Sequence, residues 1–312
     1  MDAALSLDHV TKRYGDFTAV NDLSFAARQG RILGFLGPNG AGKTSTLRMI
    51  LGLSSPTSGT LSVLGAPDGR PVRDRIGFLP EERGLYRRMT PVEAIVFLAG
   101  LKGLPAPEAR RRARQMLEEQ GLGAAQNRQI RNLSKGMAQK VQLIAAVAHR
   151  PELVILDEPF SGLDPVNQQT LESMIRNLAR DGATVVFSTH VMQHAERLCD
   201  HVVLLAGGRK AFDGSVAEAK ARAPRALVLE GMLEAAAAAA LPGVTAVATS
   251  PLDGGGQRQT CALDSQASGQ EALKSAFAQG LDIQRFELRE PSLHDAFIVL
   301  TGTAPDQMEV AA

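Results

Sequence analysis

A glycine-rich segment constrains the fold more than any other part of the chain. It reads Gly-Pro-Asn-Gly-Ala-Gly-Lys-Thr over residues 37–44, after the apolar run 32–36 and before the helix-like run 45–51. Glycines let the backbone curl tightly, so that successive N–H groups point at one anion, and the following helix directs its positive end toward the same anion. The pattern predicts a loop between a strand and a helix that binds the phosphates of a nucleoside triphosphate.

The residues of this phosphate loop have different predicted roles. Lys43 is expected to reach the outer phosphates, and the hydroxyl of Thr44 can bind Mg²⁺. A glycine-rich turn that binds no ligand is the alternative, and the strand before the loop and the helix after it argue against that alternative. The residues predicted to contact the nucleotide here are Gly37, Pro38, Asn39, Gly40, Ala41, Gly42, Lys43, Thr44 and Ser45.

Two carboxylates follow a second apolar run. Asp157 and Glu158 come directly after residues 153–156, which read Leu-Val-Ile-Leu. Ligands of open parallel sheets bind at the carboxyl ends of the strands, so we expect both side chains near the phosphate loop. Asp157 is predicted to face Mg²⁺, and Glu158 is predicted to take a proton from an attacking water. A solvated strand end would explain the pair alone, but its position after a phosphate loop favours the nucleotide site.

Three further segments have both a structural and a functional interpretation. Residues 133–137, Leu-Ser-Lys-Gly-Met, precede a helix predicted over 138–148, and the structural interpretation of Ser134 is that it is no more than the N-cap of this helix. Residues 161–164, Ser-Gly-Leu-Asp, can be a turn that leads into a helix capped by Asp164. His190 ends a predicted strand, and a single histidine in that place is usually structural. The order, spacing and shared sheet edge of these segments favour the functional interpretation.

Taken together, these segments resemble the ATP-binding subunits of ABC transporters over residues 5 to about 220. The resemblance implies that the triphosphate is ATP, that Asp157 is a ligand of Mg²⁺ and that Glu158 is the general base. It also implies that His190 senses the γ-phosphate. Tyr14 stands where the family places the aromatic residue that stacks on adenine. The alternative interpretation is that Tyr14 is an ordinary residue of a strand with no role in binding.

The resemblance further implies a site that is shared between two chains. Residues 133–137 resemble the family signature, here called the signature segment, whose Ser134 and Gly136 would bind the γ-phosphate held by the opposite protomer. Residues 161–164 resemble the loop that couples the two protomers through Ser161 and Asp164, here called the coupling loop. The expected assembly is a head-to-tail dimer, with an identical chain or a related ATPase subunit, that drives a membrane permease.

The chain departs from the family pattern at two places. Its signature segment has Lys135 and Met137 where the usual Leu-Ser-Gly-Gly-Gln has a glycine and a glutamine. Glu81 stands where a glutamine is usual, and its carboxylate can still bind Mg²⁺ or hold a water molecule. Some exporter-type subunits resemble the chain at both places.

The pattern of apolar runs predicts an α/β fold. With the resemblance, it implies that residues 1–220 form a phosphate-loop ABC ATPase domain with a mostly parallel sheet and a helical subdomain. Its N-terminal part (residues 5–25) is predicted to be antiparallel, with turns at Gly15-Asp16 and Asn21-Asp22. Residues 224–312 follow the order βαββαβ of a small α+β ferredoxin-like domain and resemble the C-terminal extension of bacterial sodium and drug efflux subunits. The predicted buried strands are Ile32–Leu36, Ile76–Leu79, Leu153–Leu156, Thr184–Ser188 and His201–Leu205.

Composition limits the partners. The chain has 34 Lys and Arg against 33 Asp and Glu, so bulk charge does not favour nucleic acid, and none is expected as a partner. Two cysteines and the absence of a signal or of a long apolar window predict a cytoplasmic protein, and the resemblance implies that it is peripheral on the inner face of the cell membrane. One alternative is a soluble ABC-type ATPase acting on ribosomes or DNA, which is disfavoured because the chain has neither a second cassette nor a long coiled-coil insert and lacks a basic footprint. Another is a phosphate-loop kinase, which is disfavoured because residues 133–137 and 161–164 would have no role in it.

Overall fold

The computed structural model describes residues 3–82, 84–252 and 255–302, which divide into two compact units. The first extends to Val216, and the second comprises Ala217–Gly302. The domain limits expected from the sequence, 1–220 and 224–312, stay a prediction.

The first unit begins with an antiparallel sheet in the order β2-β1-β4. These strands are β1 (Ala3–Tyr14), β2 (Phe17–Arg28) and β4 (Ser58–Val63). The predicted turn at Gly15-Asp16 is present, whereas the prediction of a turn at Asn21-Asp22 and of short strands was wrong. Strand β2 runs through Asp22, which has a φ of 56°. The pairing register between β1 and β2 shifts in this part of the strand. Aspartate tolerates the left-handed conformation, which serves a bulge as well as a turn.

A six-stranded sheet forms the centre of the first unit, in the order β5-β6-β7-β3-β8-β9. All five predicted buried strands are present and parallel, and three of them extend one residue further than expected. The sequence did not reveal β4 or the antiparallel edge strand β9, because their polar residues lack an apolar pattern. The strands are β3 (Ile32–Leu36), β5 (Ile76–Leu79), β6 (Leu153–Asp157), β7 (Thr184–Thr189), β8 (His201–Ala206) and β9 (Arg209–Ser215).

The main core of the first unit lies between these two sheets. Phe25 of β2 stacks on Phe35 of β3 with ring centres 5.2 Å apart. Leu5 and Leu23 from the antiparallel sheet and Leu47 and Ile50 from the helix after the phosphate loop belong to the same buried cluster. Burial of this kind contributes about 25 cal/mol per Å² of apolar surface. Because Phe35 precedes the phosphate loop and Leu47 and Ile50 follow it, residues of one core anchor both ends of the loop.

Three helices of the first unit pack together and form the predicted helical subdomain: α2, α3 and α4. Two helices begin earlier than the sequence suggested, at Lys43 instead of residue 45 and at Lys135 instead of residue 138. The second difference arises because Ser134 caps its helix by accepting a hydrogen bond from the N–H of Met137 (3.3 Å). The helices of the first unit are α1 (Lys43–Ile50), α2 (Pro91–Gly100), α3 (Ala106–Glu119), α4 (Lys135–Val147), α5 (Pro165–Arg180) and α6 (Met192–Leu198). Helix α7 (Val216–Lys220) begins at the last residue of the first unit and otherwise belongs to the second.

The start of α2 allows a stability prediction. The Thr90 hydroxyl accepts from the N–H of Glu93 (3.3 Å), and the Glu93 carboxylate accepts from the N–H of Thr90 (2.8 Å). Loss of such a cap costs about 1 kcal/mol. We therefore expect Thr90→Ala to lower the hydrogen-exchange protection of the first-turn amides of α2 about fivefold. Thr90→Ser keeps the hydroxyl and serves as the control, and equal protection in both variants would contradict the capping role.

The second unit has the predicted βαββαβ order and an antiparallel sheet in the order β11-β12-β10-β13. Leu227, Leu229 and Cys261 from the sheet pack with Ala272 and Ala276 of α9 in its core. The first helix of the βαββαβ order, α8, is shorter than the predicted 233–240. Of the predicted loop at 253–256, the first two residues lie outside the described ranges. The elements are β10 (Ala226–Met232), α8 (Ala235–Ala239), β11 (Val244–Pro251), β12 (Gln257–Leu263), α9 (Gly269–Ala278), β13 (Asp282–Arg289) and α10 (Leu293–Thr301).

Candidate functional site

The register of the central sheet brings the predicted site residues to one edge. Leu36, the last residue of β3, pairs with Thr189 of β7, and Asp157 of β6 pairs with Ser188 of β7. Because the three strands are neighbours and parallel, the phosphate loop, the Asp157-Glu158 pair and His190 all follow strand ends at the same edge. Ligands of such sheets bind at this edge.

At its end, the phosphate loop has a backbone conformation that only glycine adopts easily. Gly42 has a φ of 96°, and a Cβ there would come within 2.5 Å of the carbonyl oxygen of Ala19. The next residue, Lys43, begins α1 and is buried. Its Nζ donates hydrogen bonds to the carbonyl oxygens of Gly37 (2.7 Å) and Pro38 (3.0 Å). The ammonium group therefore lies inside the curve of the loop, where its positive charge would attract phosphate oxygens.

Asp157 is a buried carboxylate, with 6 % of the residue exposed. The hydroxyl of Ser188 donates a hydrogen bond to its Oδ1. Burial raises the pKa of the Asp157 carboxyl above its usual range, and the hydrogen bond from Ser188 acts in the opposite direction. A cation beside this carboxylate would offset the cost of its burial, so its chemistry fits a ligand of a divalent metal ion.

Glu158 is held in a strained conformation by the end of β7. Its φ of 45° lies in the left-handed region, which costs a non-glycine residue about 1–3 kcal/mol. Its Oε2 accepts from the Thr189 hydroxyl (3.0 Å), and its Oε1 accepts from the backbone N–H of His190 (3.0 Å). The Nδ1 of His190 lies 2.8 Å from the same Oε1. The predicted base and the predicted γ-phosphate sensor are thus in direct contact.

Tyr14 and Glu81 lie at the ends of their strands and face solvent. Tyr14 is the last residue of β1, 46 % exposed, and the Lys12 ammonium lies 5.0 Å from its ring centre. Glu81 is exposed and follows β5, whose Leu79 pairs with Leu156 of β6. Glu81 therefore lies at the same sheet edge as the carboxylate pair, one strand further out.

The signature segment and the coupling loop have local structural roles. Ser134 caps α4 and is exposed, while Gly136 is buried in the first turn. Ser161 is exposed, and Asp164 caps α5 by accepting from the N–H groups of Val166 (3.1 Å) and Asn167 (3.0 Å). These caps account for the residue types locally, and they leave Ser134 and Ser161 open to a ligand or a second chain.

Comparison with known proteins gives the family. Residues 20–161 match the family described as ABC transporter. The chain is 39 % identical over 314 residues to the ABC transporter ATP-binding protein YhaQ of Bacillus subtilis, covering 96 % of this chain and 98 % of that protein. The chain belongs to the ATP-binding proteins of ABC transporters. The resemblance inferred from the motifs is therefore confirmed, and with it the expectation that the chain is an ATPase that powers a transporter.

Other matches of this ABC transporter ATP-binding protein agree. Residues 214–301 match the family described as ATP-binding protein DrrA1-3-like, C-terminal domain. The chain is 38 % identical over 217 residues to the Nod factor export ATP-binding protein I of Cupriavidus pinatubonensis, covering 69 % of this chain and 67 % of that one. A solved ATP-binding subunit of an ABC transporter has a TM-score of 0.64 and 33 % identity, covering 70 % and 92 % of the two chains. These matches confirm the predicted fold class.

Two hydroxyl residues of the ABC transporter ATP-binding protein were missed by sequence reasoning. Ser188 binds the first carboxylate and Thr189 binds the second, so both fix the acidic pair from the neighbouring strand. Their position at the end of an apolar run, directly before His190, is the signal that would have revealed them. None of the helices in the described ranges is long and apolar enough to span a membrane.

Proposed function

We propose that this ATP-binding protein hydrolyses ATP in a head-to-tail dimer, with Glu158 as the base, and that the dimer powers an exporter. The observation that carries the catalytic part is the carboxylate of Glu158, fixed by Thr189 and His190 beside the buried Asp157. Such orientation is what a general base needs, because the proton it abstracts must lie within hydrogen-bond reach.

The chemistry assigned to Glu158 is proton abstraction. A water oxygen bonds to the γ-phosphorus, the bond from that phosphorus to the bridging oxygen of ADP breaks, and the proton of the water passes to the carboxylate. Among the hydrogen bonds of the described residues, Oε1 accepts from two groups of His190 and Oε2 accepts from Thr189 alone. A carboxylate oxygen has two lone pairs, so Oε2 retains one for the attacking water.

Lys43 and the loop backbone would stabilise the negative charge of the phosphates. The ammonium of Lys43 is buried and bonded to loop carbonyls, so little reorganisation is needed when phosphate oxygens arrive. The residues that would hold Mg²⁺ are Asp157, Thr44 and Glu81, and a bound ion would polarise the phosphoryl oxygens. This small number of protein ligands is enough, because Mg²⁺ is usually held by one or two carboxylates together with substrate phosphates.

The dimer would complete each site from the second chain. In this proposal, Ser134 and Gly136 of one protomer bind the γ-phosphate held by the other, and Ser161 and Asp164 contact the partner chain. The exposed Ser134 at the start of α4 supports this part, because a helix N-terminus suits a phosphate and the Ser134 hydroxyl, which accepts from the N–H of Met137, can still donate. His190, with 45 % of its side chain exposed, would sense the γ-phosphate from the same chain as Glu158.

A membrane permease is the proposed partner, at the cytoplasmic face of the cell membrane. Export as the direction is supported by the similarity to Nod factor export proteins and to the DrrA1-3-like C-terminal domain. The proposed docking surface lies within residues 82–103. Its Tyr86 is exposed and packs edge-on against Phe97 at 5.6 Å, near the exposed Leu101. Exposed apolar side chains of this kind suit a protein partner.

The experiment that tests this partnership is a pull-down of the tagged chain from detergent-solubilised cells. Copurification of a membrane protein with several spans, crosslinked to residues 82–103, is the expected result. Copurification of ribosomal RNA without a membrane protein would contradict the proposal and favour a soluble ATPase.

Stacking of adenine on Tyr14 gives a further prediction. We expect Tyr14→Ala to raise the Kd for ATP by a cost of about 1–3 kcal/mol and to leave the affinity for inorganic triphosphate unchanged. Phe17, which pairs with Tyr14 across the hairpin and is also exposed, supplies the matched control Phe17→Ala. Equal losses for ATP and triphosphate, or a loss only in Phe17→Ala, would show that Tyr14 does not stack on the base.

A further inference from the structure

A run of four arginines on α3 takes no part in the proposed ATP chemistry. It occupies residues 110, 111, 112 and 114. Arg111 and Arg112 line a cavity of about 680 Å³, whereas Arg110 and Arg114 are exposed and do not line it. Residues three and four apart share a face of a helix, and the other residues of α3 in the lining continue the face of Arg111 and Arg112. These residues are Gln115, Met116 and Glu119.

The cavity lies at the amino ends of two central strands. Besides α3, its lining includes residues 150–152, directly before β6, and residues 181–183, directly before β7. Strand β6 has five residues and ends at Asp157, which belongs to the proposed ATP site. At a rise of about 3.3 Å per residue, about 16 Å separates the two ends of this strand. A ligand in the cavity would therefore not overlap with ATP.

The arginines of the cavity have no partners within the described parts of the chain. No hydrogen bond or ion pair joins the guanidinium of Arg111, Arg112 or Arg150 to another described residue. Arg112 is partly buried, and burial lowers the pKa of its guanidinium below the usual range. The positive charge of Arg150 acts in the same direction, and the carboxylate of Glu108 opposes it. An anion between these guanidiniums would offset the cost of bringing like charges together.

The carboxylates that line the cavity do not bind these arginines. Arg75 donates to both oxygens of Glu152, at 2.6 and 2.8 Å. Glu119 accepts a hydrogen bond from Nε2 of Gln115 at 2.9 Å. The third carboxylate, Asp181, is exposed and has no ion pair with a residue that the structure describes. The three guanidiniums of the cavity can therefore bind an anion from outside the chain.

The rest of the lining is largely apolar. Val147, Pro151 and Ala183 are buried, and Met116 and Leu178 are partly buried. Ligand pockets have volumes of about 300–1000 Å³ and combine mostly apolar walls with a few polar groups. The planar guanidinium binds the paired oxygens of a carboxylate or a phosphate. An inorganic ion would leave most of this cavity unused, so the lining suits an anion with an apolar part.

We propose that this cavity is a second binding site of the chain, for an organic anion with a phosphate or carboxylate group on an apolar body. Arg111, Arg112 and Arg150 bind the anionic group, and the apolar walls contact the body. Because the cavity lies at the other edge of the sheet from the ATP site, the anion and ATP bind at the same time. The site needs neither the dimer nor the base, so it stands independently of the proposed function.

Phenyl phosphate is the probe that tests this site, in the full chain saturated with a non-hydrolysable ATP analogue. Met116 of the cavity supplies the signal, because its methyl group can be labelled with ¹³C and its resonance identified with Met116→Leu. We expect a saturable shift of this resonance with a Kd of about 1 mM or lower. Inorganic phosphate and phenol each contain one half of the probe and are expected to bind about tenfold more weakly.

Substitutions of the arginines separate the cavity from general attraction of anions. We expect Arg112→Gln and Arg150→Gln each to raise the Kd of phenyl phosphate about tenfold or more. Arg112→Lys keeps the charge without the planar fork and should lose less. Arg110→Gln, from the same run but outside the cavity, is the matched control and should keep the wild-type Kd. Thermal unfolding midpoints close to that of this control show that the variants are folded.

Three results would overturn the proposal. They are a Met116 resonance that does not shift, an equal loss of affinity in Arg110→Gln and Arg112→Gln, and displacement of the ATP analogue by phenyl phosphate. A further measurement identifies the source of the anion once phenyl phosphate binds as expected. Cosedimentation with phosphatidylglycerol vesicles that is lost in Arg112→Gln and kept in Arg110→Gln identifies a lipid headgroup, and no cosedimentation identifies a soluble compound.

Discussion

Replacing Glu158 by glutamine is expected to lower the rate of ATP hydrolysis by a factor of about 10²–10⁴, the usual contribution of a general base. The amide cannot take the proton of the attacking water. Its oxygen can still accept from the N–H of His190, which is 3.0 Å from Oε1 in the wild type, so the loop keeps most of its fixation. Binding of ATP should therefore survive the loss of turnover.

The measurement combines steady-state hydrolysis with size-exclusion chromatography in ATP. A dimer that persists in Glu158→Gln and dissociates in the wild type is expected, because the γ-phosphate is no longer removed. Glu119→Gln, an exposed glutamate of α3, is the control and should behave as the wild type. Hydrolysis by Glu158→Gln at the wild-type rate would show that another group is the base.

Lys43→Ala is the variant with the largest expected effect on binding. Its ammonium is buried within the phosphate loop and bonds to two loop carbonyls. Hydrogen bonds to charged groups contribute about 1.5–3 kcal/mol, so we expect the Kd for ATP to rise by a factor of about 10–150. Isothermal titration calorimetry with a non-hydrolysable analogue measures this change directly.

Two controls protect the interpretation of Lys43→Ala. Lys140→Ala removes a lysine from α4 and should leave the affinity for ATP unchanged. The carbonyl oxygens of Gly37 and Pro38 lose their donor in Lys43→Ala. The thermal unfolding midpoint without nucleotide shows whether this loss destabilises the fold. A folded Lys43→Ala protein that binds the analogue as tightly as the wild type would contradict the assignment of the loop.

The parts of the site that the sequence predicts are those with local geometric requirements. The phosphate loop needs glycines and a lysine at fixed spacing, and the structure has the strand, loop and helix that this spacing implies. The cap at Thr90 and the order of the second unit follow from short-range patterns of the same kind. Because each signal lies within a few residues, no knowledge of the tertiary structure is needed.

Contacts between distant segments could not be predicted from the sequence. The bond from His190 to Glu158 depends on the register of β6 and β7, which apolar runs alone do not determine. The hydrogen bond from Nε2 of Gln139 to the carbonyl oxygen of Pro159 (3.0 Å) depends on how α4 packs against the loop after β6. Asn21-Asp22 was misinterpreted because the same residue types suit turns and bulges.

The central claim is that each ATP is enclosed by two copies of the chain, and mixing two inactive variants tests it most directly. Lys43→Ala disables the phosphate loop, and Ser134→Arg blocks the signature segment; each variant alone should hydrolyse little ATP. In a mixed dimer, one site combines the intact loop of one copy with the intact signature segment of the other. We predict that mixing restores hydrolysis well above the sum of the separate variants. No recovery, in mixtures shown to contain the mixed dimer, would contradict the shared site.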